Sequence, residues 1–216
     1  MNRLVSDRNA LKTLLLGATL ILSGCQAAGL IADKVAGGRL PAAYTPQKVP
    51  TLVLVEKYQN PAQFALDSEP LATYVTDELQ RHDVVPTIDP SRVESLRRAS
   101  GQAYRNMAIA KIGRELGASQ IIYVDIIDIS VDTTVGGEMI KGKADALVRV
   151  VDTQSGRTLW PADSAGGMPV SFGVPLAHVS PSNAEWTVRD NVLRGLAGNI
   201  GRLFYTTSKE EAAAGL

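Results

Sequence analysis

The sequence predicts an α/β domain, with a mixed β-sheet of about five strands and helices packed on it. Three observations predict this class. Apolar runs rich in Val, Ile and Leu, such as TLVLVEKY and SQIIYVDIIDISV, alternate along the chain with amphipathic segments of helical period. Capping residues and prolines precede several of the amphipathic segments. Two of the later apolar runs are joined by TQSG, which predicts a β-hairpin.

The N-terminus has the pattern of a secretory signal. Three basic residues precede an uncharged run at 14–22, which is shorter than the roughly 20 residues that a membrane-spanning helix needs. The run ends in LSGC, which resembles the bacterial lipoprotein signal. This resemblance implies cleavage between Gly24 and Cys25, diacylglycerol on the Cys25 thiol, and a fatty acid such as palmitate on the new amine. Several acyl chains together anchor a protein firmly in a membrane.

The boundaries of the mature chain follow from this interpretation. Gln26 follows the cysteine, and in the enteric-type sorting rule Asp at this position retains a lipoprotein at the inner membrane, so we expect the periplasmic face of the outer membrane. An ordinary signal with a chance cysteine, or a buried N-terminal helix, is the alternative.

Residues 1–24 are the expected signal peptide and 25–48 a flexible tether with a mean reach of about 25–30 Å. Residues 49–206 form the domain and 207–216 a frayed tail.

The first half of the domain contains two strands and three helices in the predicted order. A strand begins at Val49, and Ser-Glu-Pro at 68–70 begins a helix that extends to about residue 81. DVVPTI is a short strand, and Pro86 favours an edge position for it. Two further helices are expected at 89–98 and 107–116, the second ended by a glycine.

The second half is predicted to be largely β-structure with a helix at its end. The run 119–131 is apolar in its first half and alternating in its second, as in a strand that becomes half exposed. Residues 133–142 are expected to form a polar connection, and 143–160 a hairpin. The segment 161–181 is rich in proline and glycine and is predicted to be a long loop. A capping box at 182–185 begins the last helix.

The composition excludes several functional classes. Lys+Arg and Asp+Glu both number 22, so the basic excess typical of nucleic-acid-binding proteins is absent. A single cysteine cannot form an internal disulfide or a thiolate metal site. The segment GGEMIKGKA lacks the Ser or Thr that completes a phosphate-binding loop, and the aspartates of the strand at 119–131 lack the spacing of a calcium loop. We therefore predict no catalytic residue, no metal and no cofactor.

An arginine-rich segment is the candidate contact site. RVESLRRASGQAYR contains Arg92, Arg97, Arg98 and Arg105. These side chains could form a solvated helix face. Alternatively, they could contact an anionic surface, such as phospholipid headgroups or an acidic partner protein.

Two segments carry a resemblance to a known group of proteins. AKIGRELGASQIIYV at 110–124 and VRVVDTQSGRTLW at 148–160 resemble periplasmic lipoproteins: the curli-secretion lipoprotein CsgG, the N-terminal domain of TolB, and the penicillin-binding-protein activator LpoB. The resemblance covers about residues 49–206. It implies their mixed α/β fold and structural roles for Gly117, Asp152, Gly156 and Trp160.

The functional hypothesis combines the anchor with this resemblance. We expect a non-enzymatic, lipid-anchored envelope protein that binds a partner protein during envelope assembly or secretion. One alternative is a subunit of a homo-oligomeric secretion channel like CsgG, and a third is an envelope hydrolase. The expected partners are the membrane, through the N-terminal lipid, and an envelope protein, with no nucleic acid.

Overall fold

The computed structural model describes residues 38–56, 64–133, 139–164, 166–178 and 184–214. The chain divides into two compact units, residues 1–40 and 41–216. Of the first unit the structure describes Gly38 and the two-residue strand β1 (Arg39–Leu40). None of the helices within the described ranges is both long enough and apolar enough to cross a bilayer.

The described part of the second unit alternates strands and helices and then forms a run of antiparallel strands. Its strands are β2 (Thr51–Glu56), β3 (Thr87–Ile88), β4 (Gln120–Thr133), β5 (Met139–Asp152), β6 (Thr158–Trp160), β7 (Met168–His178) and β8 (Thr207–Ser208). Its α-helices are α1 (Phe64–Arg81), α2 (Ser91–Ser100), α3 (Ile109–Leu116), α4 (Ala184–Gly201) and α5 (Lys209–Ala214). A 3₁₀ segment (Gly101–Asn106) joins α2 to α3.

Six of these strands form one mixed sheet, which confirms the predicted α/β class and adds one strand to the expected five. Strand β2 lies between β3 and β4 and is parallel to both. Strand β5 is antiparallel to β4 on one side, and on its other side it pairs with both β6 and β7. The parallel pairs require crossovers, which α1 provides between β2 and β3, and α2, the 3₁₀ segment and α3 provide between β3 and β4.

Apolar side chains on both faces of the sheet are buried by helices. Helices α1 and α4 pack on one face, and the larger apolar cluster lies between them and the sheet. Its most buried large side chains are Leu71, Leu79, Ile122, Ile126, Ile140, Leu196 and Ile200. The opposite face is covered over β2 and β4 by α2, the 3₁₀ segment and α3. Burying one such side chain stabilises the fold by about 1.5–3 kcal/mol.

Helix α1 begins earlier than its sequence predicts. It starts at Phe64 rather than at Ser68, so Pro70 lies inside the helix and Ser68 is a buried residue instead of a cap. The cause is tertiary: Asp67 is fully buried and forms a bidentate ion pair with Arg189 of α4. A contact with a residue so distant in sequence has no local signal.

The predicted long loop at 161–181 is wrong, because residues 168–178 form β7. Proline lacks an amide hydrogen, so Pro169 fits an edge strand only where its nitrogen points away from β5. Residues two apart on a strand direct their backbone groups to the same side, so Ser171 reports the direction at Pro169. The Ser171 carbonyl points away from β5, because it accepts a hydrogen bond from Asn199 of α4 at 2.9 Å. Pro175 lies where the β5–β7 register shifts between Ile140 and Gly142. The prolines and glycines that suggest a loop are therefore compatible with an outer strand.

The strands of the central hairpin are also longer than expected. β4 extends to Thr133 and β5 begins at Met139, so half of the expected connection at 133–142 is strand, and the other half, 134–138, lies outside the described residues. The TQSG turn agrees with its prediction: Gly156 has a φ of 71°, and the Asp152 carboxylate accepts hydrogen bonds from the Ser155 amide and hydroxyl. Within the expected tail at 207–216, the structure has β8 and α5.

Candidate functional site

Charged and aromatic side chains meet at the carboxyl end of β2, where its parallel pairing with β4 ends. Glu56 is the last residue of β2 and pairs in register with Asp125 of β4. Two residues before Asp125, the Tyr123 hydroxyl donates a hydrogen bond to Glu56 Oε2 at 3.3 Å. Arg149 of β5 places its guanidinium carbon 4.6 Å from the centroid of the Tyr123 ring. The carboxyl ends of parallel strands are the usual location of ligand sites in α/β proteins.

Helix α2 and the 3₁₀ segment complete this group. The Arg97 guanidinium carbon lies 4.9 Å from the centroid of the Tyr104 ring, and Arg97 Nη1 donates to Glu94 Oε2 at 3.2 Å. The positive charge of Arg97 also acts on Glu56. We call this group the strand-end cluster: Glu56, Arg97, Tyr104, Tyr123, Asp125 and Arg149. Two carboxyl groups and two guanidiniums make its formal charge balanced.

Burial controls the protonation of the cluster. It raises the pKa of Glu56 above its usual range, and the negative charge of Asp125 acts in the same direction. The Tyr123 hydrogen bond and the positive charges of Arg97 and Arg149 lower the Glu56 pKa without cancelling the effect of burial. Burial and the neighbouring Glu56 also raise the pKa of Tyr123. Glu56 therefore keeps its proton to a higher pH than an exposed glutamate does.

A small cavity adjoins the cluster between β2, α1 and α2. Its volume is about 30 Å³, and its polar lining comes from Ser68, Glu69, Glu94 and Arg97. Among the described residues the buried Ser68 hydroxyl has no hydrogen-bond partner. A space of this size holds about one or two water molecules, whereas ligand pockets measure roughly 300–1,000 Å³. The cavity is therefore too small for an organic substrate.

The structure divides the four predicted contact arginines into two kinds. Arg97 is half-buried and belongs to the strand-end cluster, whereas Arg92, Arg98 and Arg105 are exposed. Arg98 Nε lies 3.3 Å from Glu94 Oε1, so Glu94 pairs with both Arg97 and Arg98. We call the exposed arginines, Arg92, Arg98 and Arg105, the basic face. Segment 91–106 has four arginines and one acidic residue, so its formal charge is 4 − 1 = +3.

The predicted anchor lies elsewhere in the chain. Cys25 and Gly24 lie outside the described residues.

Apart from Asp125 and Asp152, the strand aspartates lie toward the far ends of β4 and β5, beyond the part of the sheet that α2 and α3 cover. Asp128 of β4 is opposite Asp145 of β5, and Asp145 pairs with Lys143 at 2.6 Å. Asp132 pairs with Lys141 at 3.5 Å. Within the described ranges, no three His, Cys, Asp or Glu residues are grouped so that they could hold a metal ion. Asp132 and Asp145 therefore pair with lysines, and Asp128 and Asp132 are exposed, as their alternation suggests.

Most of the strand-end cluster was not predicted from the sequence. No functional role was predicted for Glu56, Tyr123 and Arg149, although Tyr123 and Arg149 lie within the two segments that carry the resemblance, and the three residues meet only through the pairing of three strands. A partial signal exists, since residues two apart on a strand share a face and Tyr123 and Asp125 therefore point the same way. The register that places Glu56 beside them is a tertiary property.

No protein-family model and no curated protein matches the chain. Among solved structures, lipoprotein GNA1162 from Neisseria meningitidis is 14% identical, with coverage of 70% of this chain and 99% of its own and a TM-score of 0.42. Hypothetical protein CT253 from Chlamydia trachomatis is 12% identical (71% and 98% coverage, TM-score 0.40). The PelC dodecamer from Paraburkholderia phytofirmans is 10% identical (76% and 94% coverage, TM-score 0.37).

A bacterial lipoprotein is thus among the similar structures. At these TM-scores the similarity assigns neither a family nor a function to this chain. The narrower resemblance to CsgG, TolB and LpoB stays a prediction.

Proposed function

We propose that this chain is a lipid-anchored, non-enzymatic protein of the cell envelope whose domain binds an acidic partner protein through the basic face. The observation that carries the proposal is the exposure of three arginines in a segment of net charge +3. Arg92 and Arg105 form no ion pair with any described residue, so their charges are available to a partner. Exposed charge of one sign steers a partner of opposite charge and orients it on contact.

The strand-end cluster supports a binding role rather than a catalytic one. Its guanidiniums lie over tyrosine rings, its formal charges balance, and the adjoining cavity of about 30 Å³ is too small for a substrate. A hydrolase needs an accessible cleft in which a nucleophile or activated water meets its substrate. The cluster instead braces α2, and with it the basic face, against the sheet.

The anchor determines where a partner can be met. Lipid on Cys25, with a tether over 25–48 that reaches about 25–30 Å, would keep the domain close to the periplasmic face of the outer membrane. A partner must therefore lie at that membrane or extend to it. CsgG-like channel assembly is the alternative, in which copies of this chain are one another's partners.

The anchor has its own test. Cys25→Ala should prevent incorporation of radiolabelled palmitate and release the protein from the membrane fraction. Gln26→Asp is the matched control, because it should keep the label and move the protein to the inner membrane. Membrane retention of an unlabelled Cys25→Ala variant would contradict the anchor.

A photo-crosslinking residue at Ser95 tests the basic face in cells. Ser95 is exposed and lies three residues from both Arg92 and Arg98, so it lies on the same side of α2. We expect a discrete protein adduct from Ser95 and none from Thr133, which is exposed at the last residue of β4, eight residues beyond Asp125. The adduct should disappear when the three arginines of the basic face become glutamate, and persist when they become lysine.

The composition of the adduct decides between the candidate functions. Adducts with lipid or peptidoglycan alone, or an adduct that survives charge reversal, would refute binding of an acidic protein. An adduct between two copies of this chain, together with a multi-subunit mass under native conditions, would favour the channel alternative.

A further inference from the structure

Helices α1 and α4 leave a polar groove on the outside of the domain, on the side of the sheet opposite the basic face. The groove has a volume of about 200 Å³. Its lining residues are Tyr74, Asp77, Glu78, Arg81, Arg194, Ala197 and Gly198. The α1 members recur every three or four residues, so they form one stripe along that helix. We call this feature the α1–α4 groove.

Hydrogen bonds hold the lining side chains in place at both ends of the groove. At one end, Arg194 donates to Asp190 Oδ2 at 2.7 Å and to the Tyr74 hydroxyl at 2.9 Å, and its guanidinium lies 4.0 Å from the Tyr74 ring centroid. At the other end, Glu78 accepts hydrogen bonds from Arg81 and from the Tyr205 hydroxyl. Side chains held in this way form fixed walls, so little ordering is left for an occupant to impose.

These bonds leave one charged side chain of the lining without a hydrogen bond or ion pair among the described residues, although its charge also acts on Arg194. Both cations of the lining are already paired, Arg81 with Glu78 and Arg194 with Asp190. Asp77 is exposed, lines the groove, and forms no hydrogen bond or ion pair with any described residue. The unmet interaction is therefore that of a carboxylate, and it is complementary to a cationic group.

The floor of the groove contains a glycine that packing does not explain. Of the three glycines of α4, a Cβ at Gly195 would lie 2.2 Å from Phe172 and one at Gly201 would lie 2.4 Å from Glu78. A Cβ at Gly198 would meet nothing within 4 Å, and its backbone is not left-handed. Glycine destabilises a helix interior relative to alanine, so Gly198 has a cost without a benefit inside this domain. Its effect is to keep the groove open beside Asp77.

We propose that the α1–α4 groove binds one basic side chain, arginine or lysine, of a partner protein, with Asp77 as its counter-ion and Gly198 as the space for its stem. This inference rests on the proposed function, since it adds a second contact to a partner-binding domain. The partner's chemistry differs from that of the basic face: an acidic surface meets one side of the sheet and a single basic side chain meets the other.

Two short fluorescein-labelled peptides provide the test with the full chain in detergent micelles. One peptide has a single arginine flanked by glycine and serine. The other has citrulline at that position, which has nearly the same shape but no charge. Fluorescence anisotropy should show the arginine peptide binding at least about tenfold more tightly than the citrulline peptide, as expected for a hydrogen bond to a charged group.

Variants then locate the site. Asp77→Asn should weaken the arginine peptide by about tenfold or more, and Gly198→Leu should abolish its binding by filling the groove. The matched controls are Glu115→Gln, an exposed acid on α3, and Asn191→Leu, an exposed position on α4, and neither should change the affinity. Because Gly198→Leu replaces glycine where space is open, its thermal midpoint should not fall below that of the wild type, which separates blocked binding from unfolding.

Several results would overturn the inference. They are equal affinity for the two peptides, an affinity unchanged by Asp77→Asn, and binding that persists in Gly198→Leu. Self-association of the chain that is lost in Asp77→Asn would identify the occupant as a second copy and would also overturn it. If the peptide tests fail but the Ser95 crosslinker still forms its protein adduct, only the groove is refuted. If the Ser95 crosslinker forms no protein adduct, the proposed function is refuted.

Discussion

The buried ion pair between α1 and α4 offers a direct measure of what holds the two outer helices together. Asp67 is fully buried, and Arg189 Nε and Nη2 donate to its two carboxylate oxygens at 2.7 and 2.6 Å. Arg189→Met removes both hydrogen bonds while keeping much of the apolar stem. The Asp67 carboxylate then has no cation within bonding distance in the described structure.

The expected cost follows from this burial. Removing one partner of a buried ion pair typically destabilises a protein by about 3–5 kcal/mol, because the other charge is left uncompensated. The Arg189 side chain is 24% exposed, so water screens part of the pair and we expect the lower end, about 3 kcal/mol. For a protein of this size, that loss lowers the thermal midpoint by about 6–12 °C. The double variant Asp67→Leu/Arg189→Met buries no charge and should lie within about 1 kcal/mol of the wild type.

Urea titrations followed by circular dichroism measure these differences. Arg98→Met is the control, because its ion pair with Glu94 involves a side chain that is 74% exposed and should contribute less than about 1 kcal/mol. The reasoning would be refuted if Arg189→Met cost no more than this control. It would equally be refuted if the double variant were as unstable as the single one, because the loss would then be one of packing rather than of charge.

Three further outcomes are expected. Glu56→Gln should stabilise the protein at neutral pH. Because the Glu56 pKa in the folded protein is raised above 4.5, the wild type loses stability as the pH rises from 4.5 through the folded-state pKa, and the variant does not. Urea titrations from about pH 4 to 8 measure this, and a difference between the two proteins that did not vary with pH would contradict it. The double variant Pro169→Thr/Asn199→Ala should increase self-association in sedimentation experiments. Pro169→Thr restores a backbone amide donor, and Asn199→Ala uncovers the Ser171 carbonyl, both on the open edge of β7. An unchanged sedimentation coefficient would argue against an open edge. Gly195→Ala should lower the free energy of unfolding by about 1–3 kcal/mol, since its Cβ would lie 2.2 Å from the Phe172 ring, and an equally stable variant would show that the ring moves aside.

Local sequence signals were sufficient for the central architecture. The apolar runs at 51–56 and 120–133 are strands, the TQSG turn connects β5 to β6, and Gly117 ends α3 with a left-handed φ of 80°. These features depend on neighbouring residues, so they can be read locally. β7 could not be, because Pro169 and Pro175 indicate a loop unless the strand is known to lie at an edge.

The sequence predicted the position of the candidate contact site but not which of its arginines are exposed. The cluster of arginines in segment 91–106 is a sequence feature, and its net charge can be counted. Which of these arginines are exposed depends on the fold: Arg97 lies against Tyr104 and acts on Glu56 at the carboxyl end of β2, whereas Arg92 and Arg105 face solvent. The direction of each side chain is set by packing around α2 and cannot be counted from composition.

The sequence by itself determined the α/β class and the positive charge of segment 91–106, and it predicts a lipid anchor at Cys25, because each of these features depends on residues close together in the chain. Tertiary structure alone decided that Glu56 lies beside Asp125, that Asp67 pairs with Arg189, and that Asp77 and Gly198 line one groove. These are contacts between elements far apart in sequence. Their physical origin is the alignment of strands and the packing of α1 against α4, and no local pattern encodes either.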